Sequence, residues 1–213
     1  MEIPVGRYSS PLNPRMSVVL HRGRHKLLTD GAIYSFSDLY SNFRIAFERL
    51  DWSAGNYRHC LVLGLGLASI PDMLVNHFHR KMRFTAVELD EMVIHLANTY
   101  VLRPGGIQVE VYTGDAESFL GWHEGRYDLI CHDVFVGDRI PEGLQSREAL
   151  EAMKALLTDD GVLMYNRLSR YPPDVRESLA FREQVFLPVF PHGGYLDVEG
   201  NWMFISDLRK LKP

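Results

Sequence analysis

The stretch Cys60–Pro71, "CLVLGLGLASIP", constrains this chain most: an apolar run ends in Gly64-Leu65-Gly66 and passes into a helical pattern. A short apolar run closed by glycine reads as a buried strand. Beyond it Ile70, Met73, Leu74 and Phe78 share one helical face, with Ser69 as the N-cap candidate and Pro71 tolerated in the first turn. The alternation then repeats. Arg83–Glu88 is a second strand, and Asp90 can cap a helix whose inward face is Met92, Val93, Leu96, Ala97 and Tyr100. Ile107–Val111, Tyr127–His132 and Val162–Tyr165 are the third to fifth strands, and Ala149, Leu150, Met153, Leu156 and Leu157 line another helix. Strands alternating with helices predict a parallel sheet covered on both faces. Right-handed crossovers make it doubly wound, with any ligand outside the carboxyl ends of its strands.

Both ends of the chain depart from that repeat. After a helix within Asp174–Phe186 come "GGYLDV" and "WMFISD", parted only by Glu199-Gly200-Asn201. So short a connection makes them antiparallel neighbours. At the other end, residues 1–15 hold three prolines and read as an extended arm. Short apolar runs from Ser17, broken by His-Arg-Gly-Arg and Thr-Asp-Gly, suggest two or three strands. "SDLYSNFRIAFERL" places Leu39, Phe43, Ala46, Phe47 and Leu50 at helical spacing behind a Ser37 or Asp38 cap. The polar "DWSAGNY" then divides an N-terminal arm, β cap and helix (1–52) from a Rossmann-like domain (53–213). The predicted class is α/β: a Rossmann-like, doubly wound, mostly parallel seven-stranded sheet ending in an antiparallel hairpin, plus the small β cap.

Composition narrows the function. A net charge of −4 gives no electrostatic footprint for nucleic acid. No apolar run approaches the roughly 18 residues needed to span a bilayer, and the N-terminus has no signal-peptide core, so a cytoplasmic protein is expected. Cys60 and Cys131 fall in strands and read as core residues; the nine histidines show no His-Glu-x-x-His spacing, and no catalytic metal is expected.

A sheet of seven strands closing on an antiparallel hairpin resembles that of the class I S-adenosylmethionine-dependent transferases. The glycine turn agrees, because Ser69 stands where a diphosphate-binding turn carries its third glycine, and S-adenosyl-L-methionine has no phosphate. Gly64, Leu65 and Gly66 would pass close to that cofactor. Glu88, at the end of the second strand and 22 residues beyond Gly66, is placed for the ribose hydroxyls, with Leu89 beside it. Asp115 could accept from the adenine amino group while the Ala116 amide donates to the ring; Asp115 is equally an N-cap. Asp133, past the fourth strand, could orient or deprotonate a nucleophile, or pair with the cofactor's cationic groups. Tyr40 reads as a hydrogen-bonding phenol of the site or as a core aromatic.

With these residues assembled, the chain resembles the spermidine synthase-like branch of that superfamily. The likeness is carried by "LVLGLGLASIP", "FTAVELDEMVIHLA", "VYTGDAESFL", the long run from "YDLICHDVF" to "GVLMYN", and the cap segment "YSFSDLYSNF". Three departures bear on the substrate. Leu67-Ala68 replaces an aspartate-containing glycine turn that would hold an aminopropyl amine, Tyr40-Ser41-Asn42 lacks the glutamate of a Tyr-x-Glu, and Asp133 is followed by an acid only at Asp138. Burying a diamine without partner carboxylates is costly. The resemblance therefore implies methyl transfer to a small-molecule acceptor, with Asp133 and Tyr40 at the chemistry. Tyr34, Phe36 and Tyr40 would form the acceptor pocket and Phe135–Pro141 its mouth. The alternatives are a divergent aminopropyltransferase using decarboxylated S-adenosylmethionine, and a non-catalytic nucleotide-binding protein. A homodimer is suggested by the family likeness and the apolar cap.

Overall fold

The computed structural model describes residues 1–29 and 32–213, apart from the side chains of residues 32–35 and 38. Tyr34, expected at the acceptor pocket, and the Asp38 cap lie outside these described side chains. Among the described residues eleven strands form two sheets. The first is an antiparallel meander of β1 (Glu2–Tyr8), β2 (Met16–His21), β3 (Arg24–Thr29) and β4 (Ala32–Ser35). The second contains β5 (His59–Leu63), β6 (Arg83–Glu88), β7 (Val109–Thr113), β8 (Tyr127–His132), β9 (Leu157–Leu168), β10 (Gly194–Asp197) and β11 (Asn201–Ile205). Its spatial order is β10-β11-β9-β8-β5-β6-β7. The five strands from β9 to β7 are parallel, and β11 runs antiparallel to both β9 and β10. The fold class read from the sequence is thus the fold observed.

Residues alternate across the strands, so an apolar strand feeds two cores at once. Cys60, Val62, Ala86, Leu129, Cys131 and Met164 face Phe43, Phe47, Met73 and Leu74. Leu61, Leu63, Ile130, Leu163 and Tyr165 face Phe119, Leu150, Met153, Phe181 and Phe186 on the other side. Both cysteines are free and fully buried. A third cluster joins the small sheet to the large one: Met16, Val18 and Leu27 pack on Leu67, Val93 and Leu96. Among the described residues no helix is long and apolar enough to cross a membrane.

Several local expectations are corrected. Part of the presumed arm is strand β1, which pairs with β2 from Glu2 to Tyr8 and so hides its proline-poor half in a ladder. The helix expected from residue 37 is broken at Tyr40. A single turn spans Ser37–Leu39, and the helix proper is Ser41–Arg49, with no side-chain cap. Ser69 does not cap its helix, because Ala68 takes the cap position in a left-handed conformation; the Ser69 hydroxyl accepts from the Phe36 amide at 3.0 Å instead. Asp90 does cap, accepting from Met92 N at 2.9 Å. The third strand lies two residues later than expected, and β9 is longer at both ends.

The helix Arg147–Leu156 turns Ala149, Leu150, Met153 and Leu156 inward, and Leu150 and Met153 are fully buried. Leu150→Ala leaves a void between two rigid layers and should cost about 2–5 kcal/mol. Urea unfolding should show that loss as a lower midpoint at unchanged slope.

Candidate cofactor and acceptor crevice

The chain leaves β5 for β6 on one side, while β8 lies on β5's other flank, so the carboxyl ends of β5 and β8 open outward as a crevice. Its volume is about 780 Å³. Gly64, Leu65, Gly66, Glu88, Leu89, Asp115, Ala116, Asp133 and Tyr40, the cofactor-binding and catalytic candidates from the sequence, line this one cavity. Val134–Asp138 and Pro141 form part of its wall, as expected of the mouth segment. Phe36 does not. Its ring packs edge-on to His21 and lies under the Lys26 ammonium.

The glycine turn is built by close approach. Gly64 has φ +87°, and a Cβ there would fall on the backbone carbonyl of Asp133, 2.8 Å from its carbon. Asp133 N donates to Leu63 O at 2.8 Å, and Gly64 N donates to Val87 O at 3.0 Å. The Leu65 and Gly66 amides point at one Glu88 oxygen, each at 3.2 Å, and Asp90 N donates to the other at 3.1 Å. Glu88 is 7% exposed, and burial raises its pKa against the pull of these amides. Asp115 is the N-cap its alternative reading named, accepting from Ser118 N at 2.7 Å, and it also faces the cavity.

The opposite end is organised around Asp133. Its Oδ1 accepts from the Tyr40 hydroxyl at 3.1 Å and from Asn166 Nδ2 at 2.8 Å. Asn201 Nδ2 in turn donates to Asn166 Oδ1 at 2.9 Å. Among the described residues no hydrogen bond reaches Asp133 Oδ2. Burial pushes the Asp133 carboxyl up to about 6, while the Asn166 and Tyr40 bonds pull it down. Burial, then the Asp133 charge, raises the Tyr40 phenol well above its ordinary value. The break at Tyr40 explains its geometry: leaving the helix before Ser41 lets the ring stack on Phe43 with its hydroxyl on the carboxylate.

Sequence reasoning missed Asn166 and Asn201. They lie on β9 and β11, whose hairpin was legible, and polar residues at the ends of otherwise apolar strands were the available signal. Also missed were Leu12, Asn13, Arg170, Tyr171 and Asp174, which line it too. His132 is buried and stacks on Tyr165, with ring centroids 3.9 Å apart, and burial lowers its pKa to about 3. It is therefore a packed neutral residue. Among the described residues no three His, Cys, Asp or Glu side chains converge as metal ligands.

Charge gives the crevice its character. Six carboxylates line it (Glu88, Asp90, Asp115, Asp133, Asp138 and Asp174), and among the described residues Arg170 is the only Lys or Arg that does. Leu67, at the turn where the resemblance would place an acid, is buried against Met16, Val18 and Leu27.

Comparison with known proteins adds the following. No family model matches the chain. A polyamine aminopropyltransferase of Vibrio vulnificus is 34% identical over 125 residues, which are 57% of this chain and 42% of that protein. The chain thus spans less than half the length of this curated relative. A probable spermidine synthase from Corynebacterium glutamicum superposes with a TM-score of 0.75 at 16% identity, covering 95% of this chain and 80% of that one. Human methyltransferase-like protein 13, solved in complex with SAH, superposes with a TM-score of 0.56 at 25% identity, over 72% of this chain and 73% of that one. By strand order, terminal hairpin and superposition the chain has the Rossmann-like fold of spermidine synthases and S-adenosylmethionine-dependent methyltransferases, and in sequence it resembles the spermidine synthase-like branch.

Proposed function

We propose that the crevice binds S-adenosyl-L-methionine and that the chain transfers its methyl group to a small molecule. The observation that carries this reading is the single cavity in which the glycine turn, Glu88, Asp115 and Asp133 meet under an excess of carboxylates. A diphosphate would be repelled there, whereas a sulfonium suits it. The SAH complex of methyltransferase-like protein 13 supports the same ligand class.

Residue by residue, Gly64 and Gly66 would let the ligand approach backbone, Glu88 would accept from the ribose hydroxyls, and Asp115 with the Ala116 amide would hold the adenine. When bound, the cofactor supplies an electrophilic methyl carbon on sulfur. The chain's part is to align the acceptor and take its proton. Asp133 suits that task because Tyr40 and Asn166 fix one oxygen and leave the other free to accept the proton. Asn201 holds Asn166 in place and so fixes the carboxylate plane.

Aminopropyl transfer is the second reading, favoured by the likeness to the polyamine aminopropyltransferase of Vibrio vulnificus and by Asp138 and Asp174 in the wall. Against it stands Leu67, whose apolar packing leaves no carboxylate for an aminopropyl ammonium at that turn. Calorimetry against S-adenosylmethionine, its decarboxylated form, S-adenosylhomocysteine and NAD separates these. The carboxylated ligands should bind more tightly; preference for the decarboxylated form, with putrescine turnover, replaces methyl by aminopropyl transfer, and binding of NAD alone refutes both.

The pH dependence follows from Asp133. Only its ionised form accepts a proton, so kcat/KM should fall about tenfold per pH unit below about 6 and level off above. Asn166→Ala removes a hydrogen bond that lowers the Asp133 pKa and should move that inflection upward. Asp133→Asn should abolish turnover while S-adenosylhomocysteine still binds; a profile flat to pH 5, or an active Asp133→Asn, removes the carboxylate from the mechanism.

A further inference from the structure

Arg167 is a buried cation that the chemistry above leaves unused. It follows Asn166 on β9 and so points to the other face of the sheet. It is 5% exposed, and among the described residues no carboxylate forms an ion pair with it. Its partners are neutral. Nε donates to Ser178 Oγ at 3.2 Å, Nη1 donates to Gln145 Oε1 at 2.9 Å, and the guanidinium carbon lies 4.1 Å from the centre of the Phe181 ring. Burial lowers its pKa, and Glu177 acts on it only as a more distant charge. A cation buried in this way is costly, and an apolar side chain would fill the same space at less cost.

The partners show what the charge secures. Ser178 belongs to the helix Pro172–Phe181, and its hydroxyl donates back to Leu168 O at 2.8 Å, so one bond of the arginine closes onto its own strand. The other leads away. Gln145 ends the single turn Gly143–Gln145, and its Nε2 donates to Ile140 O at 2.7 Å. Ile140 sits among the residues of the crevice mouth, where Val134–Asp138 and Pro141 line the cavity. Val136 and Arg139 close a turn on each other by backbone bonds of 2.8 and 3.2 Å, yet Val136 is 68% exposed, so burial does little to hold that turn in place. Tyr165, two residues before Arg167 on the same face, donates to Leu144 O at 3.0 Å. Two side chains of β9 thus reach the segment that leads out of the mouth. Arginine suits this task because its planar fork can bond a helix and a loop at once.

We propose that Arg167 is a positioning residue of the mouth: acting through Gln145, its guanidinium holds residues 134–141 against β9 and so fixes the wall that an acceptor meets. The acceptor's part in this rests on the transferase reading of the crevice. The tether does not depend on which ligand the crevice takes.

Amide hydrogen exchange of the full chain, read segment by segment, tests the tether. Gln145→Ala and Arg167→Met should each speed exchange of residues 134–141 about threefold to tenfold, the range of one lost hydrogen bond, with β5, β6 and β8 unchanged. The double variant should be no faster than the faster single, because both changes cut one relay. Gln145→Glu separates positioning from stability. Its carboxylate pairs more strongly with Arg167 but no longer donates to Ile140 O. Its urea midpoint should therefore stay at or above that of the wild type while residues 134–141 still exchange faster. Unchanged exchange of that segment in Gln145→Glu, or exchange speeded equally across the whole sheet in Gln145→Ala, overturns the proposal. By calorimetry, Gln145→Glu and the wild type should bind S-adenosylhomocysteine with the same Kd within about twofold. A larger loss puts the effect at the cofactor and overturns its assignment to the mouth. If the wild type binds none, the cofactor reading falls, and the exchange rates still decide the tether.

Discussion

The crevice depends on one close passage, that of Gly64 beneath the carbonyl of Asp133. Parallel neighbours β5 and β8 end at the same height, and the Asp133 amide bonds Leu63 O at 2.8 Å while Gly64 N turns away to Val87 O at 3.0 Å. The two chain segments diverge from that point, one toward the turn Gly64–Ala68 and the other toward the wall Val134–Asp138. A side chain at residue 64 would force them apart. That separation would move Asp133 relative to Tyr40 and Asn166, which come from the break before the Ser41–Arg49 helix and from β9. The geometry at both ends of the cavity is thus inherited from a position with no side chain.

The framework was legible because it is written in runs. Apolar strands, a helical face such as Ala149-Leu150-Met153-Leu156, and a three-residue connection at Glu199–Asn201 each carry their own period or length. The strand-end acids Glu88, Asp115 and Asp133 could be placed in one crevice because parallel strands bring their carboxyl ends together. What the sequence concealed was set by tertiary contact. Ser69 has the composition of a cap, yet its hydroxyl serves the Phe36 amide because Ala68 adopts a left-handed conformation, which no propensity predicts. Tyr40 sits within a helical spacing pattern, but its hydrogen bond to a carboxylate 93 residues away wins over one more helical turn. Asn166 and Asn201 have no motif, and their meaning arises only when the antiparallel hairpin lays β11 against β9. The strand β1 was masked by three prolines, of which only Pro4 falls inside it.

The charges of the cavity carry the remaining weight in the choice of ligand. Carboxylates outnumber cations six to one along its lining, and a cationic ligand gains wherever it enters. What differs between the two transfer reactions is local. S-adenosylmethionine brings its own carboxylate to neutralise its amino group, so the protein need not supply an acid at the turn after β5. The decarboxylated cofactor arrives with an unaccompanied ammonium that is costly to bury without a carboxylate, and Leu67, where the resemblance would place one, packs on Met16, Val18 and Leu27 and supplies none. Asp138 and Asp174 stand on the segments after β8 and β9, and in the proposed reading they face the acceptor rather than the cofactor's amino group. On that reading their charge would act on the acceptor, while the absence of an acid at Leu67 would bear on the donor. Under the proposed function, the same acidic crevice would accept an amine-bearing acceptor and still favour the carboxylated form of the cofactor.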